Sequence, residues 1–298
     1  SKEDPACAVI CRKCGLIFIS PRMTKEWYNR FYQEEYRAHG EDAEGLETRF
    51  ERQKRHGRAL AEELKPHLLA NGLLVDVGSS TGGTLAGVKE VLGGVEVFGI
   101  EPSEKEVSYA NDHGVPSRAA LIEDVEHKGI VVPIADQILC TQSLNHFLSP
   151  RFFLTWAWHH LKPSGRLIIE VKNFRQQARR SSRVENSIQI DHVYMFTPET
   201  VREYMKAAGF HVVAFLDDER LSIPAIRQKQ KRGLPGFQIR VVAERINRQP
   251  FSDTSSATDP TAYKRIKSSL AAWRLRPLYF LKYGGTRDFL RNRLRNFF

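Results

Sequence analysis

Long apolar runs are missing from this sequence, and so is a dense set of cysteines. No stretch approaches the ~20 apolar residues that cross a bilayer, so a transmembrane protein is excluded. Ser1-Lys2-Glu3-Asp4 is charged and has no apolar core, so no secretory signal is expected there. Four cysteines are too few and too unevenly placed for a disulfide framework, and a reducing compartment, the cytoplasm, is expected. No internal repeat occurs. The body also lacks the basic excess of a nucleic-acid cleft. From Thr261 to Phe298 ten Lys and Arg face only Asp288, a balance of +9, which leaves residues 1–260 near neutral at +1. The basic character therefore belongs to the tail, where it suits an anionic surface. What remains, 41% hydrophobic and 27% charged over 298 residues, excludes a disordered or collagenous chain.

The pattern along the chain alternates. Lys25–Tyr36 carries Trp27, Tyr28, Phe31, Tyr32 and Tyr36 on one helical face, which packs on the body or covers a ligand site. A second helix is expected over residues 48–70. Apolar strand-like runs follow at Leu73–Val77, Val95–Ile100, Val115–Ala119, Asp136–Gln142 and Arg166–Val171, with helical segments between them. This predicts a parallel α/β sheet. Val212–Leu216 and Phe237–Ala243 are separated by too few residues for another helical crossover and are expected to pair antiparallel. The basic run Arg227–Arg232 between them is expected to be an exposed loop. Gln249–Pro260, polar and bracketed by prolines, reads as a linker. The divisions are 1–47, a cysteine segment with an aromatic helix; 48–248, the α/β domain; 249–260, the linker; and 261–298, a basic amphipathic tail.

Chemistry concentrates after the first strand of that domain. Gly78-Ser79-Ser80-Thr81-Gly82-Gly83 opens a helix, and Glu101 ends the next strand 23 residues after Gly78. Glycines let a ligand approach the backbone at a helix amino terminus, and an acid at that spacing can accept both hydrogen bonds of a ribose. The loop lacks the Gly-Lys-Ser/Thr ending of a phosphate loop, and Ser80 replaces the second glycine of G-x-G-x-x-G. A nucleoside with a neutral or positive tail is expected, not a pyrophosphate.

Here the sequence resembles the class I S-adenosylmethionine-dependent methyltransferases. Val75-Asp76-Val77-Gly78-Ser79-Ser80-Thr81-Gly82 is close to D-x-G-x-G-x-G. Val97–Ser103 is similar to the second motif, Ala120–Asp124 to the adenine-contacting segment, Asp136–Cys140 to the fourth strand, and His159–Leu167 to the L-K-P-G-G-x-L turn. The resemblance covers about residues 48–245. It implies a Rossmann-like, seven-stranded, mostly parallel sheet with helices on both faces and an antiparallel terminal pair. It places Gly78 and Gly82 at the methionine portion of the cofactor, Glu101 at its ribose, and one of Glu123 and Asp124 near the adenine, with Asp76 and Ser79 also among the cofactor-binding residues. Cys11-x-x-Cys14-Gly15-Leu16-Ile17-Phe18 and Asp191–Pro198 are similar to a bacterial subgroup with a small zinc ribbon that modifies sugars, glycans or natural products.

Methyl transfer to oxygen needs a proton removed, and histidine suits that near neutral pH. His146, after the fourth strand, and His192, after the fifth, are the candidates. The subgroup commonly has Glu-His where this chain has Asn145-His146, so the carboxylate that would orient His146 is missing. His159 and His160 are read as surface or packing. Cys11 and Cys14 are the candidate zinc ligands, but Cys7 has no Cys partner three positions away and a structural zinc site takes four ligands. The tail, with Trp273, Tyr279, Phe280 and Phe289 among its arginines, is expected on an anionic membrane at its inner face, or docked on the chain itself or on a second copy in a homodimer; nucleic acid is disfavoured. The expected activity is O-methylation of a sugar, glycan or glycolipid. The rivals are a small-molecule or natural-product methyltransferase and a non-catalytic cofactor-binding module whose tail grips RNA or a partner.

Overall fold

The structure is a computed structural model that describes residues 7–31, 45–180, 187–188, 191–252 and 260–271. In chain order the elements begin with β1 (Cys7–Ile10), β2 (Ile17–Ser20), α1 (Lys25–Arg30) and α2 (Leu46–Leu64). Then come β3 (Asn71–Val77), α3 (Gly83–Leu92), β4 (Gly94–Glu101), α4 (Glu104–Asp112), β5 (Ser117–Ala119), β6 (Ala135–Thr141), α5 (Pro150–His160) and β7 (Leu161–Lys172). The chain continues with α6 (Phe174–Arg180), β8 (Tyr194–Met195), α7 (Pro198–Ala207), β9 (Phe210–Asp217), α8 (Ile223–Arg232), β10 (Gln238–Arg245) and α9 (Pro260–Ala271).

Seven strands form one sheet in the order β5-β4-β3-β6-β7-β10-β9. Neighbours from β5 to β7 are parallel, and β10 runs antiparallel to both β7 and β9. This is the expected α/β sheet with its antiparallel closing pair. The central strands are apolar end to end because helices cover both faces. Val75, Ile138, Leu167, Ile169 and Val241 are each fully buried. Helix starts follow local chemistry: Ser103, Ser149 and Ser222 each accept a backbone N–H of the first turn, and Pro150 and Pro198 stand inside their helices' first turns. α2 and α3 pack so closely that a Cβ on Gly57 would overlap the Thr84 carbonyl and one on Gly87 the Lys54 carbonyl. That contact brings α2 over the edge of the sheet where β3 and β4 end.

Two features differ from the sequence expectation, and a third selects one of the alternatives left open for the tail. Arg227–Arg232 lies in helix α8, not in a loop. Its basic residues cluster at the helix carboxyl end, where the macrodipole favours cations, and they pair with acids of the body. Lys229 Nζ lies 2.7 Å from Glu63 and 3.0 Å from Asp218, and Arg232 lies 3.2 Å from Glu62. Second, β1 and β2 form a hairpin joined by β8 into a separate three-stranded sheet. Third, the beginning of the tail is folded against this sheet. Ile266 of α9 is fully buried among Ile17, Ile19, Phe174, Ala178 and Met195, so the apolar side of 261–271 is spent on the chain's own body. Residues 272–298, Tyr32, Tyr36 and most of the expected linker lie outside the described residues. Among the described residues no helix is long and apolar enough to cross a membrane.

Docking of the tail helix has a measurable consequence. Ile266→Ala should destabilise the protein by about 2–4 kcal/mol, the cost of deleting a fully buried aliphatic side chain. Denaturant unfolding of the variant measures this; an unchanged midpoint would mean that α9 is not held to the body.

Candidate cofactor and acceptor site

The site lies at the carboxyl ends of β3, β4 and β6, the usual ligand edge of an open parallel sheet. The loop after β3 is tied to the end of β4: the amides of Gly78 and Ser79 both donate to the Ile100 carbonyl, at 2.8 and 3.1 Å. Gly78 has φ +85°, and a Cβ there would overlap the Ser143 hydroxyl across the cleft. Ser80 holds φ +50°, strained for a residue with a side chain. That conformation turns its amide onto Glu101. The Glu101 carboxylate accepts from Ser80 N at 3.0 Å through Oε2 and from Ser103 N at 3.1 Å through Oε1.

These residues border a cleft of about 220 Å³. One wall is Val77–Ser80, Ile100–Ser103 and Ala120–Glu123; the other is Thr141–Ser143 and His146–Leu148. Tyr28 from α1 and Arg52, Gln53 and His56 from α2 form the remaining side. Gly78, Ser79, Glu101, Glu123 and His146 thus share one cavity. The Ser79 hydroxyl is buried beside it without a hydrogen-bond partner. Asp76 lies beneath the loop, fully buried, with neither carboxyl oxygen bonded. Burial, and then the neighbouring Glu101 charge, push its carboxyl well above the usual carboxylate range. These orphaned polar groups, together with the Gly78 cradle, fit a nucleoside-bearing ligand. Gly82 does not line the cleft; it caps α3 with φ +79° and packs against Val115 and Ala110. The adenine-side pair separates: Glu123 lines the cavity and accepts from Leu148 N at 3.1 Å, while Asp124 turns to an ion pair with Lys25.

On the β6 side, His146 faces the cleft and His192 is buried behind it, the rings 4.8 Å apart and nearly perpendicular. Asp191 supplies the carboxylate absent at Asn145: its Oδ2 lies 3.7 Å from His146 Nδ1 and 3.8 Å from His192 Nε2. Lys172 Nζ stands 3.5 Å from His192 Nε2. Burial, followed by the neighbouring His146 and Lys172, drives the His192 pKa far below the usual imidazole range, so this ring is neutral. His159 and His160 lie in the last turn of α5, and His160 stacks on Trp156.

Sequence reasoning missed a second imidazole–carboxylate contact. His56 Nε2 lies 2.9 Å from Glu170 Oε1, though its N–H is not aligned on that oxygen. Glu170 is fully buried, with Arg240 Nε at 2.6 Å and Gln142 Nε2 at 2.8 Å. Burial raises its pKa, but Arg240 and His56 outweigh this and hold it at about 2. Nothing in the linear sequence joins positions 56, 142, 170 and 240; Asp191 stands next to His192 and was within reach of inspection.

Cys11 and Cys14 sit in the β1–β2 turn. Burial raises both thiols, but backbone donors leave Cys11 below its usual value while Cys14 remains above. Among the described residues no group of three or more possible metal ligands includes a cysteine. Two thiols do not fit a structural zinc site, which takes four ligands, so the expected zinc at Cys11 and Cys14 has no supporting donor set.

The Glu170 contacts carry a pH prediction. A folded pKa of about 2, below the ordinary 4.5, means that the stabilisation is present above pH ~4.5 and is lost as the pH falls toward 2; at neutral pH it is about 3 kcal/mol. Unfolding free energies measured from pH 6 to 3 should fall steeply for the wild type. Glu170→Gln should be less stable at pH 6, because Arg240 is left buried without its carboxylate, and should show a shallower pH dependence.

Residues 46–214 match a family described as a methyltransferase domain, more than half of the chain. Among curated proteins none matches. Among solved structures, a chain from the complex of the Haloferax volcanii Trm112 methyltransferase activator with a methyltransferase shares the fold, with a TM-score of 0.51 and 18% identity over 68% of this chain and 97% of that one. A SAM-dependent methyltransferase from Aquifex aeolicus is similar at a TM-score of 0.49 and 17% identity, covering 67% of this chain and 97% of that one. The family match, the sheet order and the cleft lead to one conclusion: the chain belongs to the methyltransferase-domain family and is a class I S-adenosylmethionine-dependent methyltransferase.

Proposed function

We propose that the methyl acceptor is an oxygen of a sugar, glycan or glycolipid, and that His146 takes its proton. The observation that carries this reading is the placement of His146. It lines the cofactor cleft at the end of β6 with a carboxylate, Asp191, at its Nδ1 side. An imidazole so arranged can hold one nitrogen toward Asp191 and present the other to an acceptor hydroxyl. His192 is assigned a supporting part: it is buried, does not border the cavity, and its Nε2 already meets Lys172. Gln53, His56 and Gln142 line the same cavity, beside the apolar Phe147 and Leu148, and can offer hydrogen bonds to acceptor hydroxyls.

Bound S-adenosylmethionine supplies an electrophilic methyl group on a sulfonium. The chain's residues hold and align the reactants. Glu101, kept rigid by two backbone amides, accepts from the ribose, and the Gly78–Ser79 backbone admits the methionine portion without a Cβ in the way. Glu123 and Leu121 border the adenine end. Alignment of acceptor and methyl within this wall supplies the proximity part of the rate. A small-molecule or natural-product acceptor is the second reading, favoured by the modest size of the cleft.

Transfer from methyl-labelled S-adenosylmethionine into fractionated host extract tests the assignment. Label is expected in a saccharide-containing fraction; label confined to other soluble small molecules would replace the sugar reading with the second one. Glu101→Ala should weaken cofactor affinity by about tenfold or more, through loss of charge-assisted hydrogen bonds. His146→Ala should reduce transfer by ~10²–10⁴-fold with cofactor affinity retained. Full transfer by His146→Ala would refute the proton-accepting role.

A further inference from the structure

We propose that His146, Asp191 and His192 also form a binding site for a divalent transition-metal ion of the zinc class, and that an ion held there switches off the acceptor-side base. Among the described residues this is the one group of three possible metal ligands. The three ligand atoms, His146 Nδ1, Asp191 Oδ2 and His192 Nε2, lie within 4.8 Å of one another, with 3.7 and 3.8 Å separating the carboxylate from the two imidazoles. At zinc–ligand distances of about 2.0–2.2 Å, ligand atoms in a tetrahedral shell stand ~3.3 Å apart. Small side-chain rotations therefore close the set. Two imidazoles with one carboxylate is a donor set that suits zinc, iron or cobalt and leaves further positions open. The segment bearing Asp191 and His192 is anchored beside the loop bearing His146, since Tyr194 N donates to the Asn145 carbonyl at 3.2 Å. The ligands are thus drawn from two segments that the fold already brings together.

Lys172 argues about strength. Its ammonium stands 3.5 Å from His192 Nε2, where it competes with any second cation. It rises on a flexible stem from the end of β7 and is only half-buried, so it can swing aside at an electrostatic cost. The site should therefore bind modestly with Lys172 present and more tightly without it. The consequence for activity rests on the reading of His146 given above, whereas binding itself does not. Once Nδ1 is on the metal, the other ring nitrogen carries the proton and can donate but not accept.

The test uses the full chain carrying Cys11→Ser and Cys14→Ser, to remove thiolate binding, and titrates Co²⁺ by absorption and Zn²⁺ by competition. One equivalent should bind, with a cobalt spectrum of nitrogen and oxygen ligation. Asp191→Asn and His192→Gln should each weaken binding by about tenfold or more. Lys172→Gln should tighten it by at least about threefold, a gain that misfolding cannot mimic. No binding beyond that of Asp191→Asn, or no gain in Lys172→Gln, would overturn the site. In the transfer assay Zn²⁺ should inhibit the wild type, and Lys172→Gln at lower concentration. Stoichiometric binding without inhibition would overturn the inhibitory role and, with it, the assignment of His146 as base, but not the site.

Discussion

Glu170 lies near the carboxyl end of β7, in the middle of the sheet, and is fully buried, and much of the site is arranged around that fact. Its carboxylate meets Arg240 on β10, Gln142 at the end of β6 and His56 on α2. Arg240 is equally buried, and its guanidinium also reaches the Pro235 carbonyl at 2.7 Å and Glu63 on α2 at 3.4 Å. A buried ion pair is costly to desolvate and contributes little net stability by itself. Here it joins the antiparallel end of the sheet, the strand that carries the acceptor loop, and the helix that covers the cleft. Gln142 is held in a left-handed conformation, φ +58°, directly beneath the cavity. Strain of that kind persists where surrounding contacts over-determine it, and the Glu170 carboxylate and Gln238 provide those contacts.

The two ends of the cleft use charge differently. On one side, Glu101 borders the cavity and accepts from two backbone amides, while Asp76, 25 residues earlier in the chain, is fully buried, with its carboxyl pushed well above the usual carboxylate range. Burial, and then the neighbouring Glu101 charge, oppose ionisation of Asp76. On the acceptor side, neutrality falls to the buried His192 and exposure to His146, with Asp191 between them. α2 touches both ends, since Gln53 meets the Thr81 hydroxyl at 2.6 Å and His56 meets Glu170.

The fold was legible because its signals are local. Apolar strands bounded by glycine turns, the loop at Gly78 and the acid at Glu101 all lie within a few residues of the structure they specify. The short distance between β9 and β10 correctly indicated an antiparallel pair, but the basic stretch between them was misread. Arg227–Arg232 is polar all round, but α8 is capped by Ser222 and Gly233, buries Ile226, and pairs its cations with the distant acids Glu62, Glu63 and Asp218. The site was legible where one segment builds it and obscure where several converge. The absence of an acid at Asn145 was a sound observation, yet the carboxylate arrives from Asp191, 46 positions later. Gly82 matches the motif by position but serves packing against Val115. The first turns of the tail dock on the N-terminal sheet through Ile266, a partner that no local pattern reveals.

The central claim is that the cleft between Gly78, Glu101 and His146 is the cofactor site of a methyltransferase. Calorimetric titration of the purified full chain with S-adenosylhomocysteine, beside a Gly78→Ala variant, tests it most directly. The account predicts one saturable site per chain in the wild type and loss of that site in Gly78→Ala, because the added methyl enters the space shared with Ser143. No binding by the folded wild type, or equal binding by both proteins, would contradict it.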